Sequence, residues 1–135
     1  MAKLVFTDGE VTVNSVDLSD HIASVTVTTT YDEIDTSSIT DGFRTRVAGM
    51  GDASVSIEFH QDFAASSVNA TIQPLLGTTT SVVVKPTSAA VSATNPSYTG
   101  TALVTEWSTL DANAGELVTA SVTWPVSGGW NEATA

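Results

Sequence analysis

From Ser54 to His60 the chain alternates without a break: Val55, Ile57 and Phe59 are apolar, while Ser54, Ser56, Glu58 and His60 are polar. A period of two sends successive side chains to opposite faces of an extended strand, and a helix would scatter the same residues around its circumference. The pattern therefore demands a sheet with one dry and one wet face. It recurs in "IASVTVTTTY" (22–31), where Val25, Val27 and Tyr31 share one face and Thr26, Thr28 and Thr30 the other. "TTSVVVKP" reads as a core strand closed by Pro86, and "SYTGTALVTEWS" and "ELVTASVTWPV" as two more, the last with Val118, Ala120, Val122 and Trp124 inward and Pro125 at its end. Near the N-terminus, Asp8-Gly9 and Asn14-Ser15 are turn formers that separate short β segments. These readings predict a mainly β fold, a sandwich or a barrel-like sheet, with Trp107 and Trp124 as packing residues in strands and "TLDANAG" as a turn between neighbours.

Three segments depart from the alternation. In "SSVNATIQPLLG", Val68, Ile72, Leu75 and Leu76 follow helical spacing, with Ser66 or Ser67 as N-cap and Gly77 as the C′ residue. This predicts one short helix over about 67–76 that kinks or stops at Pro74. The tail "SGGWNEATA" shows no periodicity, so residues 126–135 are expected to form an arm whose Trp130 docks on its own domain or on a neighbour. From about residue 32 to 51 neither strand nor helix periodicity is visible, and a loop of that length inside a small domain has either a function or no fixed structure. Ile34, Ile39, Phe43, Val47 and Met50 argue against a solvated flexible loop. They suggest a protruding hairpin that rests on another molecule.

At 135 residues the chain holds one core, and residues 1–135 read as a single domain. A formal net charge of -11 excludes a nucleic-acid binder, which needs a cationic surface to displace counterions. With no cysteine there is neither disulfide framework nor thiolate chemistry. The N-terminal segment lacks the apolar stretch of a secretory leader, and no run is long enough to cross a bilayer. Glu58, His60 and Asp62 share one strand face, but two rises of strand separate each from the next, too far for one ion without other ligands. Asp17, Asp20 and His21 in "DLSDH" read as an Asp-capped turn. Two histidines and no nucleophile motif leave no basis for a catalytic assembly, so the chain is expected to be no enzyme and to need no metal or cofactor.

Two of the four basic residues, Arg44 and Arg46, lie in the 32–51 segment. If the partner of that segment is another copy of the same acidic chain, its arginines meet carboxylates and Phe43 and Met50 serve as apolar anchors. A contact between two different surfaces of one chain is heterologous and builds rings or open filaments.

The runs "VTVTTTYDEIDTSS", "RTRVAGMGDASVSIEFHQDF" and "VVVKPTSAAVSATNPSYTGTALVTEW", with one short helix and an extended loop between early strands, resemble the major tail proteins, or tail tube proteins, of long-tailed bacteriophages. The resemblance spans Val11 to Trp124 in layout and carries no catalytic signature. It implies hexameric rings stacked into a tube in the virion, assembled in the host cytoplasm. The implied partners are copies of the chain, a tape-measure protein and tail-end proteins, with genomic DNA passing through unbound and no membrane involved. It implies ring and subunit contacts through Ile39, Phe43, Arg44, Arg46, Val47, Met50 and Trp130, and a channel lined by Thr26, Thr28, Thr30, Ser54, Ser56 and Glu58. The residues by themselves leave open a monomeric immunoglobulin-like adhesin module and a phage head decoration protein.

Overall fold

The computed structural model describes residues 9–65 and 67–134. Seven strands form one antiparallel sheet: β1 (Glu10–Val13), β2 (Val16–Asp17), β3 (Ile22–Asp35), β4 (Arg46–His60), β5 (Thr79–Lys85), β6 (Ser97–Leu103) and β7 (Thr119–Ala133). Their order across the sheet is β2-β1-β5-β6-β7-β4-β3. The mainly β, sandwich or barrel-like layout expected is present as one continuous sheet. The inward residues of β1 and β5 (Val11, Val13, Val82, Val84) belong to the same buried cluster as those of β4 and β7 (Val55, Ile57, Phe59, Val122, Trp124), so the sheet folds over and packs against itself.

β7 makes that fold possible by changing partners. Thr119 to Val126 pair with β4, and Val126 to Ala133 pair with β6. Pro125 therefore does not end the strand: it lies beyond the end of the β6 ladder, with a strand on one edge only, a position that tolerates a missing N–H. The segment expected as a non-periodic arm is likewise strand, since Ser127, Asn131, Glu132 and Ala133 all have partners on β6. Its periodicity is hidden by an enlarged bulge. Gly100 alone on β6 stands opposite Gly128, Gly129 and Trp130, and both glycines adopt positive φ, +84° and +80°, which side-chain-bearing residues avoid. Trp130 lies over Gly100, where an added Cβ would meet the indole at 3.0 Å.

The hairpin of β1 and β2 turns at Asn14-Ser15, both at positive φ, as the sequence predicts for a two-residue loop. Asp8 of the other expected turn lies outside the described residues, as does Ser66. The helix α1 spans Val68–Ile72 and tightens into a 3-10 turn over Gln73–Leu75 at Pro74. Ser67 occupies its N-cap without capping it through the side chain. Val68 and Ile72 are fully buried, Leu75 packs on the core and Leu76 stays exposed.

Trp124 is fully buried with Phe59, ring centroids 6.3 Å apart. Trp107 is not in a strand: β6 stops at Leu103, and residues 104–118 form a connection longer than the turn expected from "TLDANAG". Within it Trp107 meets Phe59 edge to face at 5.5 Å and donates its indole N–H to Asn69 Oδ1 at 3.1 Å. Such aromatic pairs add about 0.5–1.5 kcal/mol each beyond their buried area.

Thr80 sits on the inner face of β5, and its hydroxyl is buried without a hydrogen-bond partner. An unmet buried hydroxyl costs roughly 1–3 kcal/mol, and valine has nearly the same shape. Thr80→Val is expected to raise stability by about 1 kcal/mol in urea unfolding, with an unchanged denaturant slope.

Candidate functional site

β4 has two environments. From Ala53 to Phe59 it is flanked by β3 and β7, and Ala53, Val55, Ile57 and Phe59 are buried. From Arg46 to Asp52 only β3 accompanies it, so the two strands leave the body as a hairpin arm, roughly 20 Å long at about 3.3 Å per residue. The segment expected as an extended loop over 32–51 is thus mostly strand, with Tyr31↔Gly51, Ile34↔Val47 and Asp35↔Arg46 in register and a tip at 36–45. The hairpin itself is borne out, with "RTRVAGMG" as its returning limb.

The alternation fails there for a physical reason. Among the described residues nothing lies beneath the arm, so its residues need not sort into dry and wet faces, and Tyr31 is exposed instead of sharing the partly buried face of Val25 and Val27. Cross-strand cover replaces a core. A Cβ on Gly51 would meet the Tyr31 ring at 2.7 Å, and one on Gly49 would meet Ile34 Cδ1 at 2.9 Å. The two large side chains of β3 lie flat over the two glycines of β4, where they shield bare backbone. Thr36 N bonds to Thr45 O at 2.8 Å, and Asp35 and Asp41 accept the N–H groups of Ser37 and Ser38 at 2.8 Å and 2.7 Å, closing the tip. The Ser37 N–H holds the Asp35 carboxyl below its ordinary pKa, aided by the Ser37 hydroxyl and Arg44.

Ile39 is fully exposed, Phe43 is 90% exposed and Met50 81%. Val47 is about half exposed. The arginines do not wait for an outside partner: Arg44 Nη1 donates to Asp35 Oδ2 at 3.2 Å, and Arg46 Nε pairs with Glu33. Residues 32–51 hold four carboxylates (Asp32, Glu33, Asp35, Asp41) against these two guanidinium groups, so the arm is no positive protrusion. Trp130 serves its own domain, donating its indole N–H to Ser54 O at 3.3 Å as it covers Gly100.

The six residues expected to line a channel share one face. Ser24, Glu58 and Ser121 stand abreast across β3, β4 and β7; the next row is Thr26, Ser56 and Thr123; then Thr28, Ser54 and Pro125; and Thr30 faces Asp52. This face lies opposite the buried residues of β4 and β7. Ser56 and Thr123 share a hydroxyl hydrogen bond of 3.0 Å. No lysine or arginine stands among these residues, and Asp52 and Glu58 are acidic.

The structure also gathers a serine, a histidine and an aspartate that the sequence does not place together. Ser67 Oγ lies 3.3 Å from His21 Nε2, and Asp62 Oδ2 lies 3.5 Å from that same nitrogen. The Ser67 hydroxyl donates to Asp62 Oδ2 at 2.8 Å. In a nucleophilic triad the carboxylate holds the ring nitrogen opposite the one that faces the hydroxyl. Here both groups crowd one nitrogen and the serine is buried, so the cluster ties the 3-10 turn ahead of β3 to the entry of α1. Asp17 accepts Ser19 N at 2.9 Å, the Asp-capped turn expected of "DLSDH". Among the described residues no three potential metal ligands converge.

No family profile matches the sequence, and no curated protein resembles it. Solved structures do. The chain superposes on a chain of the virion of a native gene transfer agent particle with a TM-score of 0.78 at 10% identity, covering 98% of this chain and 100% of that one. It superposes on the SPP1 tail tube with a TM-score of 0.76 at 13% identity, covering 98% and 81%. A chain of the sheath–tube complex of an extracellular contractile injection system gives 0.73 at 10% identity, covering 98% and 93%. The chain has the tail tube fold.

The N–H of Ala64 holds the Asp62 carboxyl below its ordinary pKa of 3.8, with help from the Ser67 hydroxyl and His21. A carboxyl depressed in the folded state stabilises fully above its unfolded value and loses that contribution as pH falls through the folded one. Asp62→Asn is therefore expected to lower the melting temperature at pH 7, with the gap from wild type closing on acidification below 3.8. Calorimetry across that range checks it.

Proposed function

We propose that this chain is the structural subunit of a tail tube, assembling into rings that stack into a hollow virion tail. The near-complete coverage of the chain, arm included, by subunits of a tail tube, a contractile injection system and a gene transfer agent virion carries the reading. The arm and the hydroxyl face give it a mechanism. An arm that leaves the sheet with Ile39, Phe43 and Met50 exposed gains energy by burying them, at about 25 cal/mol per Å² of apolar surface. Among the described residues of one chain nothing covers them.

The assembly is a ring of six in this proposal, in line with the C6 symmetry of a gene transfer agent tail that shares the fold. The face carrying Thr26, Thr28, Thr30, Ser54, Ser56 and Glu58 lines the channel. Neutral hydroxyls with a few carboxylates give a phosphate backbone no cation to hold, so DNA passes without being bound. A tape-measure protein fills the tube before release, tail-end proteins close it, and assembly takes place in the host cytoplasm. The subunit does no catalytic work. Ile39, Phe43, Val47 and Met50 make the contact between rings, and Arg44 and Arg46 add to it by exchanging Asp35 and Glu33 for carboxylates of the next copy. Exposed pairs are worth about 0–1 kcal/mol, so the exchange costs little. Trp130 contributes to subunit contacts by fixing the strand that bears them.

Electron microscopy of the purified chain is expected to show tubes or stacked rings. Ile39→Ser with Phe43→Ser is expected to leave the melting temperature within a few degrees of wild type and abolish stacking. Wild-type protein that stays a compact 13.9 kDa particle, as an adhesin module would, sinks the reading. Labelling at the capsid instead of the tail would identify a head decoration protein.

A further inference from the structure

The arm is one pole of the β3–β4 pair. At the other pole, β4 ends at His60 and β7 begins at Thr119, and a second group of apolar side chains stands in solvent: Phe63 is 57% exposed, Leu110 70% and Leu117 65%. One residue brings them together. Gln61 N donates to Val118 O at 2.9 Å, and Gln61 Nε2 donates to Thr109 O at 2.8 Å. Leu117 and Leu110 each adjoin one of those carbonyl residues, and Phe63 follows Gln61 by two. Three bulky apolar groups left uncovered around one anchored glutamine are unusual for a surface that meets only water.

This pole is acidic, as the chain is as a whole. The 104–118 connection carries Glu106, Asp111 and Glu116 and no cation, and Asp111 and Glu116 are exposed. The tip, 36–45, carries Asp41 and Arg44 and is formally neutral, and the Arg44 side chain is 73% exposed. Each of the three cations among the described residues is ion-paired within the chain: Lys85 with Glu10 on the far half of the sheet, and the two arginines on the arm. Of these, Arg44 is the one on the tip itself. Copies of so acidic a chain meet at least electrostatic cost where a neutral tip with an available guanidinium faces a carboxylate-bearing loop.

We propose that this pole, centred on Phe63, Leu110 and Leu117, is the acceptor for the arm tip of a second copy, with Asp111 and Glu116 receiving Arg44. The proposal rests on the stacked-ring reading and adds the surface on which the arm lands. Tip and acceptor lie at opposite ends of β4, roughly 45 Å apart at about 3.3 Å per residue, so no chain satisfies its own acceptor. Copies then join in one direction, and each added copy presents a fresh acceptor.

The chain has no cysteine, so any disulfide made in a double variant reports a designed contact. Two full-length variants combine Phe43→Cys with Leu110→Cys or with Leu117→Cys; a control combines Phe43→Cys with Thr101→Cys, exposed on the other half of the sheet. Tip and pole are far beyond disulfide reach within one chain. Mild oxidation of assembled protein is expected to give a ladder of covalent multimers from at least one pole variant and no ladder beyond dimers from the control. Tubes that form normally yet yield no ladder from either pole variant overturn the acceptor and leave the tube reading intact. Absence of tubes from wild-type protein overturns both. As a second measurement, Leu110→Ser with Leu117→Ser alters only exposed side chains, and one such copy per ten wild-type copies is expected to shorten tubes severalfold in micrographs. Unchanged tube length would also overturn the acceptor.

Discussion

Strand β7 is bonded to β4 along its first half and to β6 along its second, and Val126 belongs to both ladders. This change of partner lets one sheet present two inward faces to a single core. Without it, Val82 and Val84 would lie far from Phe59 and Trp124, and neither half of the sheet would bury enough surface alone. The bulge at Gly128-Gly129 supplies the bend, and Trp130 secures it by covering Gly100 and bonding to Ser54 on β4. The same change of partner ends the support of β4 at Ala53 and leaves the rest of that strand to project with β3.

The two halves of β4 show how legible such a chain is. Where the strand crosses the core, burial on one face and water on the other force alternation, and Val55, Ile57 and Phe59 announce themselves. The Ser/Thr rows opposite them follow from the same arithmetic. Beyond Ala53 neither face is buried, so the sequence is released from the rule and Gly49 and Gly51 read as loop formers. Their partners Ile34 and Tyr31 lie some fifteen to twenty residues earlier in the chain, and only the register reveals that they cover those glycines.

The other gaps have equally local causes. Pro125 reads as a terminator because a proline inside a ladder forfeits a bond, but it falls where one neighbour has already departed. Gly128 and Gly129 read as part of a non-periodic arm because a bulge of this size erases periodicity. Trp107 sits outside any strand and is held by Asn69 and Phe59, contacts that sequence spacing does not encode. The two arginines are visible in the sequence, yet their partners Glu33 and Asp35 are fixed only once the hairpin closes. In the proposed acceptor, the exposed leucines at 110 and 117 carry no pattern of their own and gain meaning only from their position at the far end of β4.

The glycine-covering pairs of the arm also imply a molecule with two tiers of cohesion. The body is held by a common core and opens only when that core does. The arm is held by its ladder, two weak charge pairs and two side chains lying across bare backbone, so its amides can trade hydrogen for deuterium by local fraying while the body stays intact. In the proposed assembly, a blade that frays easily when free can adjust its fit before it sets, and then hardens as a neighbour covers it. Rigidity in such an assembly is acquired at the joint, not brought to it.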